Sequence, residues 1–149
     1  MSEELVTQTE LEKIKTWLET YTGFPNGYQV DFTSDCPPNG GIFPSGMVEV
    51  SRRRDVLGNV TVENQLNFGI YWVFSKSPWD DEGSTFNAEF VMDFQRWVQE
   101  QSATGQAPTF GDRPRRERII ASNGALYAAD EEGTGTYMVQ LSVNYVKEY

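Results

Sequence analysis

Three features of the 149-residue chain predict an α+β fold: a two-layer domain in which an antiparallel or mixed sheet carries two helices packed on one face. The first is Asn59–Ser75, where Val60, Val62, Leu66, Phe68, Ile70, Trp72 and Phe74 hold one phase of a two-residue period. Thr61, Glu63, Gln65, Asn67, Gly69 and Tyr71 hold the other. Strand side chains alternate between faces, so this stretch reads as one long strand with a buried and a wet side, broken in phase only at Asn64 and Val73. The second is Thr136–Lys147, which alternates in the same way through Tyr137, Val139, Leu141, Val143 and Tyr145. The third is a pair of aromatic stripes at helical spacing, one before the strands and one between them, which is the order of a layered α+β domain.

Along the chain, Thr9 and Glu12 match a capping box, and Leu11, Ile14, Leu18 and Tyr21 follow at helical spacing until Gly23 and Pro25. This predicts a helix from about Thr9 to Thr22 with its stripe on the sheet. Gln29–Thr33 reads as a short strand. Ser34–Gly46 holds three prolines and three glycines and is expected to be a loop, with Ile42 and Phe43 in its middle. Such residues either dock on a neighbouring subunit or tuck back onto their own domain. Met47–Arg54 then forms a hairpin with the central strand through a turn at Asp55–Asn59. Arg52 and Arg54 share the phase of Val48 and Val50, so this strand end is expected to run past the core into solvent or a partner.

Asp80, Asp81 and Glu82 precede a helix opening near Ser84, where acids complement the helix dipole. Phe86, Phe90, Phe94, Trp97 and Val98 form its buried stripe as far as Gln101, and Gly105 ends it. A second Gly/Pro-rich loop, Thr104–Pro114, closes on Arg113, Arg115, Arg116 and Arg118. Asn123-Gly124 between two apolar runs predicts a tight hairpin. Asp130, Glu131 and Glu132 lie at the turn into the last strand.

Composition narrows the function classes. The formal charge is −10, from 22 acids against 12 bases. Such a balance is poor for clamping nucleic acid, which needs surplus lysine and arginine. It suits solubility, or a wall past which DNA slides without sticking. No histidine is present, which removes the commonest general base and metal ligand. The single cysteine, Cys36, leaves no internal disulfide. No apolar run is long enough to span a bilayer, and Met1–Lys13 has no apolar signal core. Phosphate-loop and dinucleotide motifs are absent, and the acidic runs lack calcium-loop spacing. No catalytic residue, metal ligand or cofactor is assigned.

Seven of the eight arginines fall at Arg52–Arg54 and Arg113–Arg118. They serve either as solvated ends or as subunit contacts meeting acidic patches on a neighbour, such as Asp130, Glu131 and Glu132.

The block DVLGNVTVENQLNFGIYWVF, then NAEFVMDFQRWVQEQS, then TFGDRPRRERI with ASNGALY, and the closing TYMVQLSVNYVK resemble small prophage structural proteins of Firmicutes. Those proteins are labelled minor capsid or phage tail proteins, and the likeness covers roughly Asp55–Tyr149. The order helix, strands, helix, strands also looks like the tail terminators of long-tailed phages. The resemblance implies a non-enzymatic virion protein, made in the bacterial host cytoplasm. It implies a homo-oligomeric ring, typically a hexamer, that caps the tail tube and joins it to the head connector. DNA would pass through the lumen without specific contact, and no membrane or cofactor is involved. Subunit-interface or channel candidates are Arg52, Arg53, Arg54, Arg113, Arg115, Arg116, Asp130, Glu131, Glu132, Ile42 and Phe43. A head-completion, stopper or minor capsid protein is the neighbouring reading. A small carboxylate-dependent hydrolase or carbohydrate-binding module, using Trp79, is the reading from a different class.

Overall fold

The computed structural model describes residues 9–24, 28–30, 39–75, 81–129 and 134–149. Helix α1 is Glu10–Leu18 and helix α2 is Asp81–Ala103; the strands are β1 Gln29–Val30, β2 Asn39–Arg54, β3 Val60–Ser75, β4 Arg118–Ala129 and β5 Thr134–Glu148. They form one sheet in the order β1-β2-β3-β5-β4. Every pairing is antiparallel except the two-residue β1, which runs parallel to β2 at Gly41 and Ile42. The fold is the expected α+β arrangement, with the long alternating strand β3 at its centre and the closing strand β5 paired beside it from Thr61↔Glu148 to Ser75↔Thr134.

Both helices lie on the side of the sheet that carries Phe68, Ile70 and Trp72. Those three side chains share one buried cluster with Ile14, Trp17 and Leu18 of α1 and with Phe90, Val91, Phe94 and Val98 of α2. The cluster is aromatic at its centre. Trp72 meets Phe90 and Phe94 edge-on at 5.2 and 4.8 Å, and Trp17 stacks on Trp97 at 4.8 Å. Edge-on and offset contacts of this kind suit the ring quadrupoles. The polar handles are satisfied, since the Trp72 indole donates to the Tyr28 hydroxyl at 3.0 Å and Trp17 to Gln101 Oε1 at 3.0 Å. Burial pushes the Tyr28 hydroxyl far above the ordinary phenol range, so it stays a neutral partner.

Several expectations need correction. α1 begins as predicted, with the Thr9 hydroxyl accepting the Glu12 amide at 3.2 Å, but it stops at Leu18 rather than Thr22. Thr20 turns its hydroxyl onto the Trp17 carbonyl at 2.6 Å and its amide to the same oxygen at 3.0 Å, which tightens the last turn and ends the helix. The chain then folds Tyr21 back over Phe90, Phe94 and Trp97. Residues 39–46, expected to be loop, are the first half of β2. β2 is held by β3 on one side and by β1 on the other only at its start, so Pro44 sits at an unpaired edge and a register shift there absorbs it.

The Asn123-Gly124 hairpin is also absent. β4 runs straight through, and between Ser122↔Gln140 and Ala125↔Met138 it gains one residue on β5. Asn123 takes a left-handed φ of 57°, so the pair makes a β-bulge instead of a turn. Gly124 is needed because a Cβ there would come within 2.5 Å of both Val91 and Gln95 of α2. Gln95 in turn donates to the Ala121 carbonyl at 3.1 Å.

The opposite face of the sheet carries a ladder of polar side chains. Gln65 donates to Asn144 at 3.2 Å, Asn144 to Glu63 at 3.4 Å, Ser142 to Asn67 at 3.0 Å and Asn123 to Gln140 at 2.8 Å. Gln65 with Asn144 and Asn67 with Ser142 are direct cross-strand partners, so the ladder follows from register. The polar intruder on the covered face, Asn64, is buried opposite Tyr145 and bonds its hydroxyl.

Candidate functional site

From Pro44 onward β2 is the exposed edge of the sheet and, with the turn beyond it, forms an edge arm, while β3 beside it stays paired with β5 as far as Thr61↔Glu148. Every residue from 44 to 59 is exposed. At its end the chain reverses through Asp55, whose carboxylate oxygen Oδ1 accepts the amides of Leu57 and Asn59, both at 2.9 Å. Its Oδ2 accepts the Asn59 side-chain amide at 3.0 Å. Backbone bonds Asp55 N–H to Asn59 O and Gly58 N–H to Asp55 O close the loop. These bonds, the Asn59 side chain foremost, hold the Asp55 carboxyl below its ordinary pKa. The turn is therefore fastened from within, and it presents Val56 and Leu57 outward at 102% and 85% exposure.

The arm's two faces are set by a second bulge. A register shift between Glu49 and Ser51 moves Arg52 opposite Val62 and Arg53 opposite Thr61. Arg53, and not Arg52 or Arg54, therefore shares the uncovered face with Val48, whose partner is Gln65. This overturns the simple phase expected from sequence, because one extra residue reverses everything beyond it. Arg52 instead bonds Glu49 at 2.7 Å on the other face, which raises its pKa.

The second arginine cluster is brought to the arm by a carboxylate clamp. Glu117 accepts the amides of Phe110 and Gly111 at 2.7 and 2.9 Å, fixing the loop that follows α2. Asp112 then pins this loop to β5, with its amide donating to the Val146 carbonyl and its carboxylate accepting the Glu148 amide, both at 2.7 Å. The approach is so close at Gly111 that a Cβ would lie 2.2 Å from the Val146 oxygen. Arg113 next forms an ion pair with Glu148, and a 3-10 turn at Pro114–Arg116 carries the chain to β4.

Between arm and loop lies an open groove of about 640 Å³ whose walls include Arg53, Arg54, Arg113 and Arg116, with Glu63 and Asn144 among its lining residues. Arg113 is tied to Glu148, while Arg53, Arg54 and Arg116 have no ion pair among the described residues. Four guanidinium groups against the two carboxylates of Asp55 and Glu63 make this groove locally positive on a protein of charge −10, and an acidic surface would complement it. Two carboxylates also border the groove, but Asp55 is consumed by the turn, which leaves Glu63 for any proton transfer. The Tyr145 hydroxyl is held above the usual phenol range, by burial first and then by the Glu10 charge. It serves as a neutral donor, here to the Met47 sulfur at 3.4 Å.

The structure thus unites Arg53, Arg54, Arg113 and Arg116 and, among the described candidates, leaves out Arg52, Arg115, Ile42 and Phe43. Arg115 is exposed but does not line the groove. Ile42 is fully buried in the core, whereas Phe43 lies half-buried on the uncovered face, edge-on to Tyr71 at 4.9 Å, so both sit on a paired strand and not at a loop tip. Asp130, Glu131 and Glu132, with Cys36 and Trp79, lie outside the described residues. Sequence reasoning missed Val56 and Leu57, although an aliphatic pair inside a turn was a visible signal. It also missed the clamp Glu117, which no motif announces.

Among the described residues no group of three or more Asp, Glu, Cys or His side chains could hold a metal ion. No described helix is long and apolar enough to cross a membrane. Neither a family model nor a curated protein matches the chain.

Proposed function

We propose that this chain is a non-enzymatic structural protein of a phage or prophage virion, most specifically a tail terminator that assembles with copies of itself and caps the tail tube at the head–tail junction. The observation that carries this reading is the convergence of two arginine clusters, some sixty residues apart in sequence, on one open groove beside the exposed end of β2 and its turn. A groove so open and so polar fits a protein surface better than an enclosed small substrate. The resemblance of Asp55–Tyr149 to prophage structural proteins supports the setting, and the acidic remainder suits a lumen through which DNA passes.

Co-sedimentation with purified tail tubes, with electron microscopy of the tube ends, tests the reading. The intact chain is expected to bind tube ends, and the triple variant R53E/R54E/R116E to lose that binding while keeping its far-ultraviolet circular dichroism. Binding to isolated head connectors but not to tubes would favour the head-completion reading. Indifference to both would end the virion assignment.

A further inference from the structure

The geometry points to the arm as a plug that docks head to tail on a second copy, its Val56–Leu57 tip and Arg53–Arg54 collar seating on the outer face of α2 around Met92. This rests on the self-assembly reading above and names what meets what.

Val56 and Leu57 are the two most exposed large apolar side chains among the described residues. Solvent-facing aliphatic side chains on a turn fixed by four hydrogen bonds to Asp55 are presented with little ordering left to lose, which favours docking. Behind them, Arg53 and Arg54 have no ion pair among the described residues. The occupant must therefore offer an apolar spot flanked by acids.

The chain carries such a place itself. On α2, Met92 is 51% exposed between Glu89 and Asp93, both exposed. Glu89 has no ion pair among the described residues, and Asp93 is matched by Arg96 in a surface bridge that is cheap to exchange. The arm cannot reach this face of its own chain. Phe90 and Phe94, which flank Met92, pack on Trp72, and Trp72 stands twelve residues along β3 from Val60, about 40 Å at strand rise. Plug and socket are different patches at opposite ends of the sheet, and a head-to-tail contact between them links copies in a row or a ring.

Cross-linking with a short bis-maleimide tests this, on full-length chain in which Cys36, the only cysteine, is replaced by serine. Leu57→Cys and Met92→Cys chains are expected to cross-link when mixed and not separately. Adding R53E/R54E to the Leu57→Cys chain should cut the yield about tenfold, and E89R/D93R on the Met92→Cys chain should restore it. Cross-linking of Leu57→Cys with itself alone, the absence of mixed product, or an intact chain that stays monomeric at its highest soluble concentration would each overturn the docking. Tail-tube binding that persists through those results would leave the functional reading standing, and cross-linking without tube binding would do the reverse.

Discussion

β2 and β3 pair over most of their length, yet the two ends of that pair live differently. Around Ile70 and Trp72 the strands are covered by both helices, and the side chains on that face are buried. From residue 44 to 59 β2 and its turn are exposed throughout, although Val62, Asn64 and Phe68 on the paired stretch of β3 are buried. Hydrogen-bond pairing to β3 is therefore not what separates core from surface along β2; its place at the open edge of the sheet is. The covered end stabilises the domain, and the bare end is left free to meet something else.

The sharpest way to break that contrast is truncation at both ends. Trp72→Ala or Phe94→Ala should cost about 3–5 kcal/mol in denaturant unfolding, whereas Val56→Ala or Leu57→Ala should stay within about 0.5 kcal/mol. An arm variant as damaging as a core variant would mean that the arm is packed against its own domain.

Next in size is the junction between the two regions. Gly111→Ala drives a Cβ into the Val146 oxygen and should destabilise by about 1–3 kcal/mol while moving Arg113 and Arg116 away from Arg53. Retention of full stability would show that the loop is not seated on β5. Smaller again, Thr9→Ala removes the α1 cap and should cost about 1 kcal/mol, felt by the helix layer and not by the arm.

The smallest effect is confined to the arm tip and depends on pH. Asp55 is depressed in the folded chain, so its ionised form supports the turn above the usual carboxylate pKa and loses that support as pH falls through the depressed value. Amide exchange at Leu57 and Asn59, followed by NMR below about pH 4, should quicken relative to its trend at neutral pH, with core amides unchanged. Protection that persists under acid would assign the turn to its backbone bonds alone.

Much of this fold was legible in the residues. The alternation of β3 and β5, the Thr9 cap and the aromatic stripe of α2 each report a local period, and local periods survive folding when the buried face is continuous. What failed did so at irregular positions. Asn123-Gly124 has the chemistry of a tight turn, but α2 passes so near that only a flat bulge with no side chain at Gly124 fits. Ser34–Gly46 has the composition of a loop, yet an edge strand tolerates proline once a bulge shifts the register. The arginine groove was half legible: the two clusters were conspicuous, but their meeting depends on Glu117 and Asp112 folding a loop onto β5.

The sequence by itself determined the fold class, the two helices, the central and closing strands, and the uneven placement of arginine in an acidic chain, because each is written in neighbouring side chains. Only the tertiary structure decided which arginines face one another, that the second half of β2 is an exposed edge, and that Ile42 lies within the core. Those outcomes depend on register, on bulges and on how far a helix reaches, and such quantities exist only once distant segments are in contact.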